Sequence, residues 1–179
     1  MSQLSEKSVA ILVENNYQEM EVWYPIYRFQ EAGARVCIVG PEPQKYTSKL
    51  GYPVQAEISA LDAVKMHFHA VVIPGGYAPD LMRTNQDLVA LVRDHALRGD
   101  VVAAICHGSW MLASADVIRG KRVTGAAQIR DDLRNAGATV LDESAVRDGN
   151  LVTSRKPADI PAFCAAILTA LSEAKSAAA

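Results

Sequence analysis

Cys106 and His107 are adjacent, and their setting suits a nucleophile. They follow the apolar run Val101–Val102–Ala103–Ala104–Ile105 and precede Gly108–Ser109–Trp110–Met111–Leu112, whose spacing is helical. A thiol at a strand-to-helix turn is lifted out of the sheet, beside the free N–H groups and positive dipole end of the next helix. Both influences favour thiolate, the reactive form. The chemistry expected is attack on a carbonyl. His107 is then either the base that takes the thiol proton or an imidazolium that holds the thiolate. Gly75–Gly76, after the buried run Ala70–Ile73, offers an oxyanion hole in which the Gly76 and His107 N–H groups converge on a tetrahedral adduct. Glu19 and Glu21 follow the run Val9–Val13 and point in different directions on a helix. One faces the thiol, where a carboxyl resists ionisation and stays as a hydrogen-bond donor. Asp80 is a candidate to orient His107.

The remaining cysteines and histidines read as structural. Cys37 lies inside a strand and Cys164 on the inner face of the last helix, where a thiol packs as a small hydrophobe. His95 falls on a helix face. His67 and His69 are two apart, with no third ligand evident. No metal and no cofactor is expected. No histidine follows His107, so a glutamine amidotransferase site with its histidine far downstream cannot be built.

Positioning these groups falls to strands and helices in alternation. Strands are expected at Val9–Val13, Arg35–Val39, Ala70–Ile73 and Val101–Ile105. Helices are expected at Gln18–Ala32, Asp87–Arg98, from Gly108 to about Ala115, Gln128–Asn135 and Ile160–Leu171. This rhythm predicts an α/β three-layer sandwich, a mainly parallel sheet with helices on both faces. Ligands collect at the carboxyl ends of such strands, and all three candidate turns lie there. Asn15 and Asn16 are expected to cap the first helix, and Pro25 should kink it. Glu42–Tyr52 reads as a loop or hairpin arm, and Val54–Ile58 as an edge strand. Asp148–Gly149 marks a hairpin turn.

The 179 residues fit one domain, 1–179, with a core over about 8–172. A net charge of −2 gives no electrostatic case for nucleic acid or an anionic membrane as partner. No apolar run approaches the roughly 20 residues that span a bilayer, and the polar N-terminus lacks the layout of a secretory signal. Three unpaired, widely spaced cysteines point to a reducing cytoplasm.

Several motifs together resemble the PfpI family of the ThiJ/PfpI superfamily. They are Ala103–Ala104–Ile105–Cys106–His107–Gly108, the stretch from Val72 to Asp80, Ile129–Arg130–Asp131–Asp132–Leu133, the stretch from Asp148 to Arg155, and Asp159–Ile160–Pro161–Ala162–Phe163. The resemblance implies a class I glutamine amidotransferase-like, flavodoxin-like sandwich with a nucleophile elbow. It implies Cys106 as nucleophile, His107 as its partner and Glu21 as the acid beside the thiol. It further implies a homo-oligomer, dimer or hexamer, in which Asp80 completes a neighbour's site. Tyr17, Tyr77, Trp110 and Ala126 are pocket candidates. Relatives often place Tyr-Pro or a histidine where Ala126–Ala127 stand here, which implies a wider pocket without a Tyr hydroxyl. The implied activity is that of a cysteine hydrolase, peptidase or glyoxalase/deglycase in type, on a peptide or small carbonyl substrate. The alternative is a stress, chaperone or redox-sensing protein in which Cys106 is oxidised.

Overall fold

The computed structural model describes residues 4–174. In chain order its elements are β1 (Ser8–Leu12), α1 (Glu19–Glu31), β2 (Arg35–Gly40), β3 (Lys45–Thr47), β4 (Pro53–Gln55), β5 (Ile58–Ser59), α2 (Ala60–Ala63), β6 (Ala70–Ile73), α3 (Ala78–Met82), α4 (Gln86–Arg98), β7 (Val101–Ile105), α5 (Ser109–Ser114), β8 (Arg122–Val123), α6 (Arg130–Asn135), β9 (Thr139–Val140), β10 (Ala145–Asp148), β11 (Leu151–Ser154) and α7 (Ile160–Glu173). Every residue of β1, β6, β7 and β11 is buried. Strands covered by helices on both faces have no solvent side, which the apolar runs of β1, β6 and β7 reflect; in β11 the buried Thr153 and Ser154 hydroxyls are bonded to the Thr124 N–H and the Ser144 carbonyl.

The main sheet has the order β10-β11-β7-β6-β1-β2-β5. Every pairing in it is parallel except β10 with β11. Without the two edge strands, the order β2-β1-β6-β7-β11 is that of a flavodoxin-like doubly wound sheet. Helices α1 and α7 pack together on one face, and α2, α4 and α5 on the other. The chain reverses direction of winding between β1 and β6. The registers Ile11↔Val72 and Ile73↔Ala104 bring the ends of β1, β6 and β7 level. The turns that leave these three strands therefore open into one crevice.

Two local expectations, the cap of α1 and the single strand at Val54–Ile58, are corrected. Gln18, not Asn15 or Asn16, caps α1: its Oε1 accepts the N–H of Met20 at 2.7 Å and of Glu21 at 3.1 Å. Asn15 instead uses Oδ1 to accept the Thr47 N–H at 3.0 Å. The helix expected at Gln18–Ala32 is present as α1 and includes Pro25, which is buried and has no N–H to offer the Glu21 carbonyl. Met20 and Tyr27 on α1 are 61% and 60% exposed. The stretch Val54–Ile58 is divided, with β4 closing a hairpin on β3 and β5 adding to the edge at β2.

Candidate active site

Cys106 sits at φ 61°, a left-handed conformation that costs a side-chain-bearing residue about 1–3 kcal/mol. The chain turns there from β7 into a single 3-10 turn, Cys106–Gly108, and then α5. Gly108 makes the elbow possible, since a Cβ at that position would lie 2.6 Å from the Ile73 carbonyl oxygen. From behind, the Ala126 N–H holds the Cys106 carbonyl at 3.2 Å. This is strain held in place by the packing around it.

The segment after β1 is laced to the turn after β6. Gln18 N–H donates to the Gly75 carbonyl at 3.2 Å and Tyr77 N–H to the Asn16 carbonyl at 2.9 Å, with a bridge between Tyr17 and Gly76. This lacing sets the start of α1 against the elbow. Glu21, fully buried, accepts the Gly75 N–H on Oε2 at 2.7 Å. Its Oε1 is buried with no protein partner. Gly75 has no room for a side chain: a Cβ would come 2.7 Å from the Cys106 Cβ and 2.8 Å from Glu21 Oε2. The N–H groups of His107 and Gly76 are aimed at the Cys106 sulfur. His107 Nδ1 lies 3.3 Å from Sγ.

The electrostatics differ from the dipole argument. Helix α5 has six residues, too short to contribute much. Burial pushes Glu21 up to about 7. Burial, and then the charge of an ionised Glu21, push the thiol up to about 11, while the two N–H groups pull it down. Two buried groups that repel each other's charge share one proton at neutral pH. The two N–H groups offset part of the cost of charge on sulfur, and Glu21 Oε1, when protonated, is placed to donate to it. Burial lowers His107, which leaves a neutral imidazole free to accept a proton.

The other expected residues fall into distinct places. Trp110 stands edge-on to His107, with ring centroids 5.3 Å apart. Its Nε1 donates to Asp132 at 2.8 Å, and the Arg83 guanidinium lies over its ring. Tyr77 is 72% exposed beside the glycine turn. Ala126 is buried against the back of the elbow. Tyr17 serves through its backbone alone, because its ring is wholly buried and its hydroxyl donates to the Tyr52 carbonyl at 2.6 Å. Asp80 is exposed on α3, and its carboxylate makes no hydrogen bond to His107 within the chain. His95 is structural: Nε2 accepts the Phe68 N–H and Nδ1 donates to the Leu91 carbonyl. His67 bonds Asp100, and His69 accepts the Ser8 N–H. No group of three or more potential ligands is arranged for a metal among the described residues. Lys49, at the tip of the β3–β4 hairpin, was not among the expected site residues. The signal available was a lysine-bearing polar loop following a strand of the sheet.

The DJ-1/PfpI family model matches residues 7–170. The chain belongs to the DJ-1/PfpI family. Among its DJ-1/PfpI relatives, Deglycase TK1284 of Thermococcus kodakarensis is 39% identical over 87% of this chain and 93% of its own length. Protein/nucleic acid deglycase 2 of Escherichia coli is 38% identical over 88% and 93%. A crystal structure from Anabaena variabilis, of a two-domain protein with DJ-1/ThiJ/PfpI-like and ferritin-like domains, is 41% identical with a TM-score of 0.90. That match covers 96% of this chain and 52% of the two-domain one. The seven-stranded sheet is thus the DJ-1/PfpI fold. No helix of the described residues is long and apolar enough to cross a membrane.

Proposed function

We propose that the chain is a cysteine hydrolase of the deglycase type, acting on a small carbonyl adduct carried by an amine or thiol. The observation that carries this reading is the convergence on one sulfur of His107 Nδ1, the Gly76 and His107 N–H groups and the Glu21 carboxyl. The names of the two deglycase relatives support the same class.

Cys106 sulfur displaces the carrier from the carbinol carbon of its 2-oxoaldehyde adduct, and the carrier leaves with a proton relayed by His107. A C–S bond forms and the bond to the carrier breaks. His107 then moves a proton from that carbon towards its neighbour through an ene-diolate, whose oxygen charge is held by the Gly76 and His107 N–H groups. The result is a thioester, and water releases it as a 2-hydroxy acid. One carbon is oxidised and its neighbour reduced, with no external oxidant. Neutral His107 suits this two-way traffic.

In this reading Asp80 of a second copy orients His107 in a homo-oligomer. Its exposed position on α3 next to the elbow supports that role. The proposed compartment is the cytoplasm, where free thiols persist. The test is release of N-acetylcysteine and of lactate from the methylglyoxal adduct. Cys106→Ala should reduce both to the uncatalysed rate; full activity in that variant removes the reaction from this site.

A second reading is oxidation of Cys106 to a sulfinic acid by peroxide, two equivalents of which become water. The N–H donors aimed at the sulfur and the adjacent Glu21 suit a sulfinate as well as an oxyanion. Mass spectrometry after mild peroxide checks it; equal modification of Cys37, Cys106 and Cys164 would sink it.

A further inference from the structure

The site as described contains nothing that selects the carrier. Three groups there, Glu21, Cys106 and His107, feel the field of one and the same cation, Lys49. Lys49 occupies the tip of the β3–β4 hairpin, and that tip is tied down. Asn16 N–H donates to the Thr47 carbonyl at 2.8 Å, and Lys49 N–H to the Tyr17 carbonyl at 3.0 Å. Glu19 Oε1 accepts both the Ser48 hydroxyl at 2.5 Å and the Leu50 N–H at 2.7 Å. The backbone on which Lys49 rests is the same 16–18 segment that is laced to Gly75 and Tyr77. The hairpin tip, the acid-bearing helix start and the glycine turn thus form one framework, with Lys49 at its outer rim. The Lys49 side chain is exposed, and its ammonium closes no ion pair among the described residues. An unpaired cation on an anchored support beside a nucleophile is placed to receive an anion.

We propose that Lys49 selects the substrate's carrier by holding an anionic group on it, a carboxylate or a phosphate, while the adduct carbon meets Cys106. The proposal deepens the deglycase reading and rests on it for the identity of the reaction, though not for the anion site itself.

Two measurements separate the anion site from the reaction. The first is alkylation of Cys106 by iodoacetate and by iodoacetamide, followed by mass spectrometry. The ratio of the two rates cancels the thiolate fraction and reports attraction of the anionic reagent alone. Lys49→Gln should lower that ratio about three- to tenfold at low salt, and Lys49→Arg should keep it. The second is turnover of paired methylglyoxal adducts: N-acetylcysteine against its neutral amide, and dGMP against deoxyguanosine. In Lys49→Gln the preference for the charged member, as a ratio of kcat/KM, should fall by a similar factor through KM. Loss in the first pair identifies a carboxylate, and loss in the second a phosphate. An unchanged alkylation ratio, or equal slowing of both reagents, overturns the proposal. A ratio that falls while the wild type hydrolyses no adduct overturns the deglycase reading and leaves the anion site standing.

Discussion

Glu21 Oε2 accepts the Gly75 N–H at 2.7 Å while Glu21 Oε1, buried, has no protein partner. One bond fixes the carboxyl in place; the other oxygen is left to the sulfur. A carboxyl in that position holds its proton past its ordinary range, and it ties the stability of the fold to pH.

The unfolded chain releases the Glu21 proton near the ordinary carboxyl value, while the folded Glu21–Cys106 pair keeps both its protons to about 7. Between those values the unfolded state binds fewer protons, so stability falls as pH rises. The loss reaches up to about 3 kcal/mol by neutral pH and then levels off. Urea midpoints at pH 5, 6, 7 and 8 measure it. Glu21→Gln, which can still accept the Gly75 N–H, should flatten the slope in that window.

The thiolate of Cys106 should appear with the first proton lost by the Glu21–Cys106 pair. Alkylation of Cys106 by iodoacetamide is expected to rise through about pH 7 and level off. Cys37 and Cys164, pushed up to about 12 by burial, should stay unmodified over the same range. A rate that instead climbs tenfold per pH unit to pH 9 would place the first charge on Glu21.

Gly75→Ala should be far worse than its one methyl group suggests. The new carbon would press on Cys106, Glu21 and the His107 nitrogen, at 2.7, 2.8 and 3.0 Å. Overpacking of this kind costs about 1–3 kcal/mol, and a displaced nucleophile loses about 10²-fold in kcat. Gly149→Ala is the control: its φ of 62° carries strain, but nothing lies within 4 Å of the new Cβ. It should lower the melting temperature and leave kcat alone.

Asp80→Ala should change thermal stability by less than about 0.5 kcal/mol, because the residue is exposed. If Asp80 serves a neighbouring subunit, mixing this variant with Cys106→Ala under exchange conditions restores activity. About a quarter of wild-type sites would then pair an intact thiol with an intact neighbour. No recovery in a verified mixed oligomer means that Asp80 does not act across subunits.

The parts legible in the sequence are those set by local pattern. The continuous apolar runs of β1, β6 and β7 and the capped amphipathic α4, ended by Gly99 at φ 90°, come from burial and steric preference alone. That the segment after β1 would meet Gly75 and Cys106 was legible through topology, because parallel strands put their ends on one edge; the choice of Glu21 over Glu19 came from the family resemblance. Tertiary burial was not legible: it raises the thiol where a dipole argument lowers it. The helical spacing of α1 was legible but not which side is buried: α1 has two apolar sides, one on the core and one, with Met20 and Tyr27, lining a groove of about 850 Å³ with Trp23, Tyr24, Leu50 and Tyr52. Periodicity cannot separate those sides.

The tip of the β3–β4 hairpin is held by backbone bonds and one carboxylate, with Lys49, Leu50 and Gly51 all facing outward. Residues at such a tip are free to be exchanged in evolution, since no core position depends on their side chains. The reactive elbow tolerates almost no change, while the loop above it tolerates a great deal. A lineage built this way keeps one chemistry and alters its clientele by rewriting a few exposed codons.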